Sequence, residues 1–324
     1  MRDIYITNSG TLSRKDNSLF FENKEIKRTI PIQDVDNIYI FSEVTINSKL
    51  LDFLSKLDIS VYFFNYYGFY SGTFVPRKKA ISGKLLIEQV NHYNDNKKRL
   101  VIAKEFVLAN IHNMRKTLMQ YELKGEAEKM NTFKENLDAM QNTQNLMLKE
   151  AEAKEFYYKQ LNKIIKDPQF AFVKRTRQPP DNYINALISF GNSLLYTTTL
   201  SEILKTQLDP TIAYLHEPFE RRYSLNLDIA DIFKPLIVDR VIFSLINKQQ
   251  LNSTHFDKEL NYCYLNKEGR TIFLKEYDAK LKTTLRYPGI NRNVSYKYML
   301  RLECYKLIKT FLEGKIYNAF KIYW

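Results

Sequence analysis

Up to about residue 80 the apolar positions fall in short β-branched or aromatic runs closed by turn residues. Ile4-Tyr5-Ile6-Thr7 is followed, after Gly10, by Thr11-Leu12-Ser13, and Leu19-Phe20-Phe21 follows the turn signal Asp16-Asn17. Ile38-Tyr39-Ile40-Phe41 and Val44-Thr45-Ile46 continue the series. These runs predict strands, because branched and aromatic side chains pack well on a pleated surface. One helix is expected to interrupt them at Ser48 to Leu57, where Leu50, Leu51, Leu54 and Leu57 share a face behind a serine cap. The pattern returns to strand at Ile59 to Phe64, and Tyr67-Gly68-Phe69-Tyr70-Ser71-Gly72-Thr73-Phe74 predicts an aromatic hairpin.

After Arg77-Lys78-Lys79 the period changes to 3.6. Residues 82 to 166 hold no proline, and apolar stripes through Val101, Leu108 and Ile111 predict a helical hairpin or a longer bundle. Residues 121 to 145 are strongly polar and are expected to form a solvated turn between two long helices. Pro179-Pro180 marks a break from Arg175 to Asn182, after which helical signals resume. They end in a basic-aromatic pattern from Val294 to Phe320 with Gly314 near its end. The fold class is therefore α+β: a small, mainly β domain over residues 1–80 and a larger all-α domain over 81–324.

A chain of 324 residues suggests about two domains. With 44% hydrophobic and 26% charged residues the balance is that of an ordinary globular chain, and disorder is a poor reading. Two cysteines, Cys263 and Cys304, exclude a disulfide scaffold and a Cys-rich zinc module, and suit a reducing compartment. Met1 leads into Arg2 and Asp3 without an apolar segment, so no secretory signal is expected, and no stretch approaches the ~20 apolar residues of a membrane span. The expectation is a soluble, cytoplasmic protein with no membrane partner. Charge adds one thing. The 49 basic and 36 acidic side chains leave a net +13, and residues 1–80, with 11 basic and 9 acidic, hold only +2 of it. The remaining +11 points to a polyanion bound by the helical part.

Several chemistries drop out. There is no G-x-G-x-x-G or Walker sequence, and His216-Glu217 has Glu220 where a zincin needs its second histidine. Gly191-Asn192-Ser193 is not followed by the glycine of a nucleophile elbow, which leaves a serine triad formally open but unsupported. His92, His112 and His255 stand in polar surroundings and read as surface or half-buried side chains. His216 differs, lying in a loop between helices with Asp209-Pro210 before it and Pro218 after it. Asp228 and Asp231 follow within Leu225-Asn226-Leu227-Asp228-Ile229-Ala230-Asp231, three residues apart and so on one helical face. Their neighbours are apolar, and like charges in such a setting need a counter-cation. Two readings stay open here: a divalent metal held by the histidine and carboxylates, or a first helical turn whose acids face the helix dipole.

Three blocks together carry a resemblance. Asn185-Ala186-Leu187-Ile188-Ser189-Phe190-Gly191-Asn192-Ser193-Leu194-Leu195-Tyr196 precedes Leu208-Asp209-Pro210-Thr211-Ile212-Ala213-Tyr214-Leu215-His216, and Ser224 to Arg240 completes the set. In order and spacing they resemble the core of the CRISPR-associated endonuclease-integrase of the adaptation module, the Cas-one family. The Phe64 to Tyr70 hairpin resembles one type I branch. The likeness spans nearly the whole chain. It implies an N-terminal β-sandwich that dimerises and an α-helical catalytic lobe binding Mg²⁺ or Mn²⁺ through a glutamate, a histidine and an acid. The histidine maps onto His216 and the acid onto Asp231, with Asp228 the nearby implicated carboxylate. The glutamate maps onto Glu150 in Leu148-Lys149-Glu150-Ala151-Glu152, where Ala151 replaces the family's usual glycine and Glu152 is the next choice. Asn185 matches a family position near the site.

The implied reaction is metal-assisted transesterification, in which the 3′-hydroxyl of a short foreign DNA attacks a phosphodiester at the edge of a CRISPR repeat. With water as nucleophile the same site is a nuclease. DNA contacts are expected from Lys174, Arg175, Arg177, Arg221, Arg222, Arg240, Arg292 and Arg301, with Arg286 and Lys297 nearby. Arg240 has an alternative as structural partner of Asp239 or another acid, and Tyr296, Tyr298 and Tyr305 either stack on bases or pack the last helix. The implied assembly is a homodimer, two of which flank a dimer of the small second adaptation protein as a heterohexamer, with the Tyr66 to Phe74 hairpin a candidate interface. Two competing readings are a non-catalytic basic DNA-binding scaffold of the same fold and a helical RNA-binding protein.

Overall fold

A computed structural model describes residues 2–77, 81–135, 137–177, 179–220, 223–259, 262–287, 289–290 and 292–323. The strand runs pair into two four-stranded sheets. The strands are β1 (Arg2–Ile6), β2 (Gly10–Lys15), β3 (Ser18–Glu22), β4 (Lys27–Pro31), β5 (Val35–Ile40), β6 (Val44–Thr45), β7 (Ser60–Phe64) and β8 (Tyr70–Phe74), with helix α1 (Ser48–Lys56) before β7. One sheet runs β1-β5-β7-β8 and the other β4-β3-β2-β6. Side-chain alternation decides what each face meets. Ile38 and Ile40 of β5 enter an apolar cluster shared by both sheets and α1, while Tyr39 enters the cluster of the helical part. Asn47, not Ser48, caps α1, accepting the Leu50 N–H at 2.9 Å. Leu50 and Leu54 are buried as expected, but α1 stops at Lys56 and leaves Leu57 44% exposed. β4 escapes the sequence pattern because Lys27, Arg28 and Thr29 face solvent at the sheet edge and only Ile30 is buried.

The helical part comprises α2 (Gly83–Asn94), α3 (Asn96–Gln120), α4 (Lys124–Thr132), α5 (Thr143–Lys159), α6 (Leu161–Ile164), α7 (Tyr183–Leu204), α8 (Leu225–Phe233) and α9 (Val238–Asn247). It continues through strands β9 (Phe256–Glu259) and β10 (Tyr262–Leu265), α10 (Lys267–Lys282), β11 (Thr284–Arg286), β12 (Asn293–Ser295) and α11 (Tyr296–Glu313). Two expectations need correction. The part is not all-α, because β9–β10 and β11–β12 pair as two-stranded antiparallel sheets. The polar stretch 121–145 is not a plain turn either, since it contains α4, which buries Ala127 and Met130 on one face and turns its charges outward. α11 ends where Gly314 takes a left-handed conformation (φ +68°), a common helix stop. The residues after it are irregular yet bury Tyr317, Phe320 and Ile322.

The two parts share a core across residue 80. Tyr39, Phe41, Tyr62 and Phe64 pack into the same cluster as the helices, with Phe41 and Phe64 stacked at 4.3 Å. Gly68 (φ +82°) closes the β7–β8 turn against α7, where a Cβ would lie 2.6 Å from the Phe190 ring. An ionic junction adds to this: Lys297 reaches Asp3 at 2.6 Å and Asp36 at 2.7 Å, and Lys205 reaches Asp36 at 2.7 Å. α7 is buried along almost its whole length, and a Cβ on Gly191 would meet Val238 at 2.5 Å, so this glycine lets α9 approach closely. No helix among the described residues is long and apolar enough to cross a membrane.

Candidate active site

The site begins on α5. Glu150 is buried and accepts a hydrogen bond from Asn110 Nδ2 of α3 at 2.8 Å. Its rival Glu152 lies on the exposed side, paired with Lys149 at 2.6 Å. One turn after Glu150, Lys154 Nζ contacts Glu150 Oε2 at 2.9 Å and also Asp231 Oδ2 of α8 at 2.7 Å. Lys234, one turn beyond Asp231, holds its other oxygen and donates to the Tyr196 hydroxyl. α5 and α8 are thus joined by an ammonium lodged between two carboxylates.

Asp228, three residues before Asp231, does different work. Its Oδ2 accepts the Tyr214 and Leu215 N–H groups at 2.7 and 3.0 Å, and its Oδ1 accepts the His216 N–H at 3.0 Å. Oδ1 also lies 2.7 Å from His216 Nδ1. The carboxylate is consumed by the loop, so Asp228 positions His216 and leaves Nε2 as the ring nitrogen able to face a ligand. Arg99 steadies the loop from α3, donating to Tyr214 O at 2.9 Å and pairing with Glu217 at 2.7 Å. Burial works against a charged His216 ring, but the Asp228 hydrogen bond and charge, with Asp231 and Glu150 adding to them, win and raise its pKa. Burial likewise opposes ionised Asp231, and Lys154, Lys234 and His216 outweigh it, holding that carboxyl well below its usual range. These groups act on one another as one electrostatic unit.

A cavity of about 850 Å³ opens beside it, lined by Glu150, Lys154, Tyr196 and Lys234 together with Lys174, Arg175 and Arg177. Asn185 ties this cationic segment to α7, donating to Lys174 O at 2.8 Å and accepting from Arg175 at 3.2 Å. Arg175 also donates to Ser189 Oγ at 2.9 Å. The other expected DNA contacts are not gathered here. Arg301 is committed to buried Glu202 at 2.6 Å, and Arg240 donates to Gln120 rather than pairing with Asp239. Arg292 stands exposed over the Tyr298 ring, away from the cavity lining, and Tyr296 is buried in the core. Arg221 and Arg222 lie outside the described residues. Sequence reasoning missed Lys154, Lys234, Tyr196 and Asn110. The i, i+4 spacing of Glu150 and Lys154 was the one available signal, and it is common on solvated helices. Buried Asp239 receives the Tyr157 hydroxyl at 3.0 Å, and burial pushes its pKa up to about 7.

One nitrogen and two carboxylate donors suit a hard divalent cation in kind. In arrangement the site is closed on the lysine: no three His, Cys, Asp or Glu side chains among the described residues are disposed to hold a metal ion. The cation between Glu150 and Asp231 is the ammonium of Lys154.

Two sheets of β-strands leading into a helical part, with this histidine and acid set on α5, α8 and the loop between α7 and α8, define a protein class that sequence comparison identifies. The model of the family described as "CRISPR associated protein Cas1" matches residues 4–279, and the chain belongs to that family. The CRISPR-associated endonuclease Cas1 3 of Thermodesulfovibrio yellowstonii is 47% identical over 327 residues, covering 100% of both chains. The solved structure of TM1797, a Cas1 protein from Thermotoga maritima, superposes with a TM-score of 0.90 at 40% identity, covering 98% of this chain and 100% of that one. A casposase bound to integration product shares the fold at a TM-score of 0.87 and 21% identity, over 99% of this chain and 93% of that one.

Proposed function

We propose that the protein is a divalent-metal-dependent DNA endonuclease and integrase that inserts short foreign DNA into a CRISPR array by phosphodiester exchange. The observation that carries this reading is the joining of Glu150, His216 and Asp231 into one electrostatic unit beside a cavity rimmed by Lys174, Arg175 and Arg177. Glu150, His216 Nε2 and Asp231 would hold Mg²⁺ or Mn²⁺. Bound there, the metal lowers the pKa of an attacking hydroxyl and offsets charge on the phosphoryl oxygens. The rest is the chain's own work. Asp228 keeps His216 in one tautomer and orientation, and the cationic segment on Asn185 holds DNA phosphates in register. Exchange needs no energy source, since one phosphodiester forms as another breaks and the departing 3′-oxygen takes the proton. The family membership and the endonuclease name carried by a relative 47% identical support the nuclease half of the reading.

In the same reading residues 1–80 act as a β-sandwich dimerisation domain and 81–324 as the catalytic and DNA-binding domain. The exposed Tyr66 and Tyr67 at the β7–β8 turn are an interface for the homodimer, which works in the prokaryotic cytoplasm with the small second adaptation protein. The test is strand transfer: a 3′-hydroxyl DNA fragment, a repeat-bearing plasmid, and Mn²⁺ or EDTA. Covalent joining in Mn²⁺, abolished by EDTA and by H216A, is expected. DNA binding of equal strength by wild type and H216A without joining by either would favour the inactive scaffold.

A further inference from the structure

All four oxygens of the two site carboxylates have partners. Asn110 takes one oxygen of Glu150, Lys234 takes one of Asp231, and Lys154 takes the remaining oxygen of each. Lys154 is therefore the shared group, and its ammonium is what holds α5 and α8 together at this point. The same side chain lines the cavity and is about one-fifth exposed to it. An ammonium on a four-carbon stem is a movable point charge, unlike the fixed fork of a guanidinium.

We propose that Lys154 is a built-in competitor for the metal: it neutralises Glu150 and Asp231 while no divalent ion is bound, and is displaced into the DNA cavity when one binds. This inference rests on the reading of Glu150 and Asp231 as metal ligands. Two consequences follow from charge alone. First, the ion must displace a unit charge within hydrogen-bond distance of both ligands, so the chain binds metal more weakly than its donor set allows. Second, the freed ammonium adds a cation to a cavity already rimmed by Lys174, Arg175 and Arg177, so metal and DNA phosphate favour each other's binding.

The experiment measures Mn²⁺ affinity by electron paramagnetic resonance on the full chain without DNA, for wild type, K154M, K154Q and K154R. K154Q retains an amide donor for the carboxylates and guards against loss of fold in K154M. Both neutral variants are expected to bind Mn²⁺ about tenfold more tightly or better, while K154R, which keeps the charge, does not gain. In EDTA the neutral variants are expected to melt below wild type, and saturating Mn²⁺ is expected to remove the difference. Duplex DNA affinity measured with and without Ca²⁺ is expected to rise with the ion in wild type and to rise less in K154Q. Unchanged or weaker Mn²⁺ binding by a folded K154Q overturns the proposal. Absence of Mn²⁺ binding by wild type, with none gained by K154Q, overturns the metal-ligand reading beneath it.

Discussion

The molecule contains two ionic clusters of similar make-up and opposite use. At the junction of its two parts, Asp3, Asp36 and Glu202 meet Lys205, Lys297 and Arg301, three acids against three bases. Burial there opposes the ionised form of Asp36, but Lys297 and Lys205 hold its carboxyl well below the ordinary range. At the candidate site Glu150 and Asp231 meet Lys154 and Lys234 on comparable terms. What separates them is surroundings. The site cluster opens on a cavity and has a histidine within electrostatic reach, whereas none of the junction residues lines that cavity. Buried ion pairs are thus no signature of function by themselves; an accessible side and a histidine ring make the difference.

The largest expected effect sets the clusters against each other. D231N removes a charge without changing size and should cut strand transfer about 10²–10³-fold while the protein stays folded. E202A at the junction leaves Arg301 without its buried partner, while Lys205 keeps Asp36, and should cost about 3–5 kcal/mol in urea unfolding, with transfer per folded molecule preserved. Equal loss of transfer in both variants would erase the distinction. D228N comes next. It weakens the hold on His216 and the Tyr214–His216 backbone, and a positioning residue of this kind is worth about 10–100-fold in metal affinity or activity. Restoration by D228E, but not by added Mn²⁺ alone, would mark geometry as the cause.

The smallest effect concerns pH. Asp239 has its pKa raised from 3.8 to about 7, so the folded chain retains a proton the unfolded chain releases. Such a group contributes fully below its unfolded value, and the contribution fades as pH rises through about 7. D239N should therefore flatten urea stability between about pH 4 and pH 7 and leave the curve above it parallel to wild type. An unchanged slope would mean that Asp239 is ionised in the fold.

Much of this arrangement was legible before folding was considered. The change of period near residue 80, the return of helix after Asn182 and the acid pair on α8 all follow from local spacing, and His216 stood apart through its loop between prolines. What was illegible depends on partners remote in the chain. Arg301 and Lys297 read as DNA contacts because Glu202 is 99 residues from the one and Asp3 is 294 from the other. The partners of Glu150 were equally remote: Asn110 sits on the inner face of α3 among apolar side chains, 40 residues away. Of the α3 stripe, Ile111 is buried and Leu108 packs on the core, but Val101 is 52% exposed and its neighbour Ile102 is buried instead. A helix that buries Asn110, Asn113 and Thr117 has a weak apolar period, and of these Asn110 is the one that reaches a site carboxylate.

The central claim is that Glu150, His216 and Asp231 form a divalent-metal site with Lys154 as its resident cation. Crystals of the full chain soaked in Mn²⁺ and measured at an energy above the manganese edge test it most directly. One anomalous peak bounded by Glu150, His216 Nε2 and Asp231, with the Lys154 side chain turned into the cavity, is the predicted result. Saturating Mn²⁺ with no peak there, and Lys154 still bridging the two carboxylates, would contradict it.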